Sequence, residues 1–171
     1  MMKKLILAFL AALFCTTAAI AAPLADSGLP VDITADSMVY DADKNNVVFQ
    51  GKVEATRGDF KMWSEMLTLY LKSDDKEKKG PTGMEGGDLD RIVAEKNVRF
   101  KNGPQTGTAS KATYFAGRNM LVLEGNPILH DGDNSIRGSV IRYFVDENRS
   151  VVEGSSKQRV HAVFSNEKKG K

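Results

Sequence analysis

Residues 40–62 read YDADKNNVVFQGKVEATRGDFKM, from Tyr40 to Met62, and the rest of the chain follows from them. Phe49, Gly51, Val53 and Ala55 share one parity, whereas Gln50, Lys52, Glu54 and Thr56 share the other. A period of two with one apolar face marks a half-buried antiparallel strand. Asp41 to Asn46 before it and Arg57-Gly58-Asp59 after it carry the Asp, Asn and Gly of tight turns. Phe60 and Met62 then resume the apolar face. The pattern returns over Tyr114 to Ile136, YFAGRNMLVLEGNPILHDGDNSI. Tyr40 and Tyr114, Gly51 and Gly125, Gly58 and Gly132, and Asp59 and Asp133 all pair at an offset of 74. A partial third copy places Tyr143 eleven residues before Gly154, the spacing of Tyr40 and Gly51. A strand–turn–strand unit recurring at fixed spacing implies a fold built by repetition.

Outward from this unit, Val31 and Ile33 alternate with Asp32 and Thr34 as a first, edge-placed strand, and a short strand follows around Met38 to Tyr40. Beyond Met62 the apolar parity slips to Leu67, Leu69 and Leu71. In the second copy it slips equivalently, from Ile136 to Ile141, Tyr143 and Val145. One residue of slip exchanges the faces, so Ser64-Glu65 and Gly138-Ser139 are expected to hold a bend, bulge or short turn. Lys72 to Asp88 has charges, glycines and a proline without apolar period, and is expected to be an exposed loop. Ile92, Ala94, Val98 and Phe100 suggest another strand pair, and Asn102-Gly103-Pro104 a turn. Leu121, Leu123, Pro127 and Leu129 continue the inner face. Val160, Ala162 and Phe164 make a last strand before a charged tail, 165–171. No window has capped helical periodicity. Short strands at this spacing imply an all-β protein, sandwich-like or an open, stacked jelly roll, with a closed barrel as the alternative.

The first 21 residues stand apart. Lys3 and Lys4 precede LILAFLAALF and then TTAAIAA, the basic start, apolar core and small-residue exit of a secretory signal peptide, with cleavage expected after Ala21. The apolar run falls short of the roughly 20 residues that span a bilayer. Residues 22–30 read as a leader, and 31–164 as one domain. Cys15, the only cysteine, would leave with the signal, so no disulfide is expected. With Lys3 and Lys4 also gone, the 24 basic residues fall to 22 against 22 acidic ones, which removes the net-charge case for nucleic acid.

Catalytic chemistry is missing from the pattern. His130 and His161 lie on different expected strands with no cysteine to join them, so no metal is expected. Asp41-x-Asp43-x-Asn45 and Asp131-x-Asp133 resemble the opening of a calcium loop. Neither has Gly at position six, and Lys52 and Arg142 replace the glutamate at position twelve, so both read as turns. No nucleophile elbow, zinc motif or phosphate-cradling glycine loop occurs, so neither enzyme nor cofactor is expected. Trp63 occupies the position of Arg137 in the second copy and is expected to point outward. The inner face carries large apolar residues: Tyr40, Phe49, Phe60, Met62, Leu67, Phe100, Tyr114, Leu123 and Tyr143. Periodicity alone fits both a packed core and two sheets standing apart around a groove.

Three linked motifs between Gly107 and Tyr143 are more specific: G-x-A-S-x-x-x-Y, L-x-G-N and N-x-I-x-G-x-x-I-x-Y. With VDITADSMVYD, VVFQGKVEATRGDFKMWSEMLTLYL and SSKQRV, they resemble the OstA-like (LptA) family of periplasmic lipopolysaccharide transport proteins over residues 31–164. The chain departs from that family at the 72–88 insertion and at Lys96, where the repeat would place a glycine. The resemblance implies an open, twisted β-jelly roll of stacked antiparallel strand repeats, with two sheets around an apolar groove and no enzymatic activity. It implies that the groove holds the acyl chains of lipopolysaccharide (lipid A). Val31, Ile33, Phe100 and Tyr114 align with groove-lining positions of the family. On the same face, the groove would take in Tyr40, Phe49, Val53, Phe60, Met62, Leu67, Leu69 and Val98 from the first copy. Leu121, Leu123, Leu129, Ile136, Ile141 and Tyr143 would join from the second.

The resemblance also implies head-to-tail stacking in the periplasm. An inner-membrane LptC-type donor would meet the N-terminal edge at Val31 and Ile33, and an outer-membrane LptD-type translocon the C-terminal edge at Val160, Ala162 and Phe164. A sibling carrying the same domain is the alternative; a cleavable signal and an end at Lys171 point away from it. A periplasmic sugar-binding β-protein or an enzyme is the further alternative, for which no nucleophile, metal cluster or aromatic platform stands out.

Overall fold

The computed structural model describes residues 31–72, 89–144, 146, 147 and 149–165. The signal peptide, the leader, the 73–88 part of the expected loop, Val145 and the tail from 166 lie outside them. The described residues form the strands β1 (Asp32–Thr34), β2 (Ser37–Asp41), β3 (Asn46–Arg57), β4 (Phe60–Leu71), β5 (Leu89–Asn102) and β6 (Gln105–Phe115). They continue with β7 (Met120–Glu124), β8 (Ile128–Asp131), β9 (Asn134–Arg137), β10 (Val140–Phe144), β11 (Arg149–Glu153) and β12 (His161–Val163). A short 3-10 turn, Ala116–Arg118, joins β6 to β7.

All neighbouring strands run antiparallel in one hydrogen-bonded sheet. The sheet is creased along a transverse line. The β3–β4 register breaks between Gln50 and Val53, β4–β5 between Trp63 and Met66, and β5–β6 between Glu95 and Val98. At the same line β6 changes partner, giving residues 105–108 to β8 and 111–115 to β7. The crease divides the sheet into two layers. One contains β1, the 53–57 end of β3, the 60–63 end of β4, the 98–102 end of β5, the 105–108 end of β6, and β8, β9 and β12. The other contains β2, the remaining halves of β3 to β6, and β7, β10 and β11. Residues of both layers face inward onto one hydrophobic core that includes Val47, Val53, Leu67, Val98, Leu123 and Ile141.

The crease explains the offset of 74. The Asp36 N–H donates to the Gly51 carbonyl at 2.9 Å, and the Ser110 N–H to the Gly125 carbonyl at 3.2 Å. Asp36 and Ser110 are themselves 74 residues apart. Both glycines have positive φ, 80° and 76°, and a Cβ on either would collide with the Asp36 or Ser110 side chain. A left-handed corner pressed against a neighbouring strand tolerates only glycine. The third copy bonds similarly, from the Ser139 N–H to the Glu153 carbonyl at 2.7 Å.

The expected phase slips fall on this crease. At Ser64-Glu65 the strand continues through a register shift, and at Gly138-Ser139 the chain leaves β9 and begins β10. One expectation is corrected: Ile92 to Phe100 is not a strand pair but part of the single strand β5, 14 residues long. Lys96 and Asn97, with φ of 65° and 54°, bend it at the crease without ending it. The two ends of the sheet remain apart. Among the described residues, β1 and β2 at one end pair only β3; at the other β12 pairs only β9 and β11 only β10. The fold is an open sheet, which excludes the closed barrel.

Candidate functional site

Toward the β8–β12 end the layers separate around an apolar cleft of about 240 Å³, larger than the roughly 150 Å³ that suffices for a benzene molecule. Phe60, Phe100, Leu129 and Ile136 line it from the first layer, and Leu121, Leu123, Ile141 and Tyr143 from the second. The Phe60 and Phe100 rings stack with centroids 6.3 Å apart on its wall. Gly107 makes room for them, because a Cβ there would collide with the Phe100 ring and come within 2.9 Å of Leu129 Cδ2. Polar groups collect along the sides of the cleft, at Asn102, Gln105, Asp131, Asn134 and Ser150. Gln105 Nε2 donates to Asp131 Oδ2 at 3.3 Å.

The expected groove residues divide into two sets. The eight named above line the cleft. Phe49, Val53, Met62, Leu67, Val98 and Tyr114 are buried in the continuous core beside it, with Ile33, Tyr40 and Leu69 packed against that core. Val31 is exposed just ahead of β1. The inner face expected from alternation is therefore one surface, and among the described residues its second-copy end stands open. At the C-terminal edge, β12 is shorter than expected, with Val160 and Phe164 flanking it. Ala162 pairs with Ile136. Phe164 was expected only as part of the joining edge; the structure also places it on the cleft wall, 76% exposed. Asn134 Oδ1 accepts the Ser165 N–H at 2.8 Å and fixes the chain there. The signal for this was its shared parity with Ala162.

The electrostatics of the cleft favour apolar contents. Burial raises the Tyr143 phenol above its ordinary pKa. Burial, then the charge of Asp146, does the same for Tyr114, whose hydroxyl donates to Asn119 Oδ1 at 2.8 Å. Asn119 in turn donates to Asp146 at 2.6 Å. Both phenols stay neutral and add no charge to the inner face. Among the described residues no three His, Cys, Asp or Glu side chains gather as a metal site would require. The walls offer dry apolar surface beside a polar rim.

Comparison with known proteins agrees with this geometry. The family described as "LptA/(LptD N-terminal domain) LPS transport protein" matches residues 32–149. The lipopolysaccharide export system protein LptA of Haemophilus influenzae is 27% identical over 157 residues, covering 91% of this chain and 88% of that protein. Its counterpart from Escherichia coli K12 is 25% identical over 139 residues, covering 81% and 72%. In fold, the chain is similar to LptH, the LptA-homologous periplasmic component of the lipopolysaccharide transport device of Pseudomonas aeruginosa. The TM-score is 0.66 at 18% identity, over 82% of this chain and 99% of that one. This chain belongs to the LptA/(LptD N-terminal domain) family of lipopolysaccharide transport proteins.

Proposed function

We propose that the protein is a non-enzymatic periplasmic carrier that holds the acyl chains of lipopolysaccharide in the cleft and passes the lipid along end-to-end stacks. An LptC-type inner-membrane donor would engage the β1–β2 edge and an LptD-type outer-membrane translocon the β11–β12 edge. The observation that carries this reading is the open sheet: it encloses apolar surface yet ends in unpaired strands on both sides.

The energetics require such a device. Returning one methylene to water costs about 0.8 kcal/mol, so a twelve-carbon chain costs on the order of 9 kcal/mol. At about 1.4 kcal/mol per tenfold, that lowers the population of the exposed chain by more than a millionfold. A multi-acylated lipid crosses water at a useful rate only if its tails stay covered. Similar sites in successive copies keep each transfer nearly level, so direction must come from an energy-using partner. Exposed edge strands ordinarily invite aggregation; here they would be the joints, made by strand addition.

The test is photo-crosslinking in cells. Crosslinkers at Leu129, Ile136 and Tyr143 are expected to capture lipopolysaccharide, and one at outward-facing Gln50 is not. Equal capture at Gln50 would refute the carrier function.

A further inference from the structure

The outer faces of the two layers treat charge differently. On the second layer, Lys111 lies 3.7 Å from Glu95 and Arg142 2.6 Å from Glu153, while Arg91 and Arg149 stack over Tyr70 and Phe144. On the first layer, Arg99, Lys101 and Arg137 are exposed, and none has a carboxylate partner among the described residues. On that face Glu54 lies 3.8 Å from Lys61, which stands opposite Lys101 across the strands. Trp63 stands directly opposite Arg99. With Lys101, Thr106, Thr108 and His130 these two residues form a shallow hollow of about 480 Å³. Phe100, Thr106 and His130 also bound the apolar cleft, so the hollow and the cleft are the two sides of one lip. Near-neutral net charge hides this local asymmetry.

We propose that the hollow binds the phosphorylated saccharide headgroup of the same lipid whose acyl chains occupy the cleft; this rests on the carrier function proposed above. Its chemistry fits such a group. A guanidinium grips phosphate through two parallel hydrogen bonds, and Lys101 adds a point charge. The Trp63 indole presents an apolar face to a sugar ring, and Thr106 and Thr108 offer hydroxyls that both donate and accept. Arg137 lies three strand spacings from Arg99, roughly 14 Å away, about the reach of a disaccharide carrying phosphate at either end. A lipid seated across the lip would thus be held by its tails on one side and its phosphates on the other.

The experiment measures binding of the purified chain to intact lipopolysaccharide and to the same lipid stripped enzymatically of its lipid A phosphates. Wild-type protein is expected to prefer the intact lipid. The triple variant Arg99→Gln/Lys101→Gln/Arg137→Gln should bind intact lipid about tenfold more weakly at low salt, each exposed contact contributing roughly two- to threefold. It should bind stripped lipid as wild type does. Leu129→Asn in the cleft should weaken both. A triple variant that binds intact lipid normally, or loses both lipids alike, overturns the headgroup site while leaving the carrier function standing. Tighter binding of anionic phospholipid vesicles or a single-stranded oligonucleotide through the same three residues also overturns it. Wild-type protein that binds neither lipid overturns both proposals.

Discussion

Gly107 decides the shape of the cleft by what it lacks. Its missing Cβ is the space into which the Phe100 ring turns. Gly107→Val is expected to destabilise the protein by about 1–3 kcal/mol through overpacking, measured by denaturant unfolding. Lys96 presents the opposite case. It holds φ at 65° where the repeat would place glycine. Left-handed strain of roughly 1–2 kcal/mol for a side-chain-bearing residue exceeds the roughly 0.5–1 kcal/mol of extra entropy that glycine loses on folding. Lys96→Gly should therefore stabilise by about 0.5–1 kcal/mol, whereas Gly51→Ala, pressed on Asp36, should destabilise. Melting temperatures that moved the other way would disprove the strain argument. At this scale the inner parity was legible, because a two-residue period leaves its mark on adjacent residues. The Asp36 and Ser110 bonds that require the repeated glycines were not, since they join residues 15 positions apart.

Among the elements, the C-terminal edge makes two measurable claims. The Arg142 guanidinium beside Glu153 holds that carboxyl below its ordinary value of 4.5, chiefly through their hydrogen bond. Lys44 likewise holds Asp41 below 3.8. In both, the folded-state pKa lies under the unfolded one, so the stabilisation is complete above the unfolded value and is lost as pH falls through the lowered one. Unfolding midpoints should therefore drop below about pH 4.5, and Glu153→Gln should make that drop shallower. Both pairs are solvent-exposed, so the change is small. The second claim concerns β12, which sets Phe164 on the cleft wall. Because Phe164 is largely exposed, Phe164→Ser should leave the melting temperature within about 2 °C while shortening lipid retention severalfold in dissociation measurements. Equal retention would show that Phe164 covers nothing. The sequence showed that strands exist here, but not that Leu89–Asn102 is one of them unbroken. A bulge and a turn both interrupt parity, and only the pairing of the next strand distinguishes them.

For the whole molecule, binding and folding are linked. Lipid that binds only the folded chain stabilises it by about 2.7 kcal/mol at a hundredfold excess over Kd. For a domain of this size that is on the order of 8–15 °C in melting temperature. Lipopolysaccharide should produce such a shift in the wild type and a much smaller one in Leu129→Asn, read by near-ultraviolet circular dichroism. No shift in the wild type would argue against a preformed cleft.

Alternation, turn residues and the offset of 74 determined by themselves that the chain is all-β, repetitive and apolar on one face, because these are local properties of an extended backbone. The motifs between Gly107 and Tyr143 determined its kinship. What remained was a question of distance between layers. The same inner face closes as core around Phe49, Val53 and Leu67 and opens as a cleft between Leu129, Ile136 and Tyr143. Both ends have the same period, and only packing across the crease distinguishes them. Where the layers meet, side chains fill the space; where β8 and β9 stand off from β7 and β10, they do not. That separation, and the unpaired cations on the far side of the same lip, belong to the tertiary structure alone.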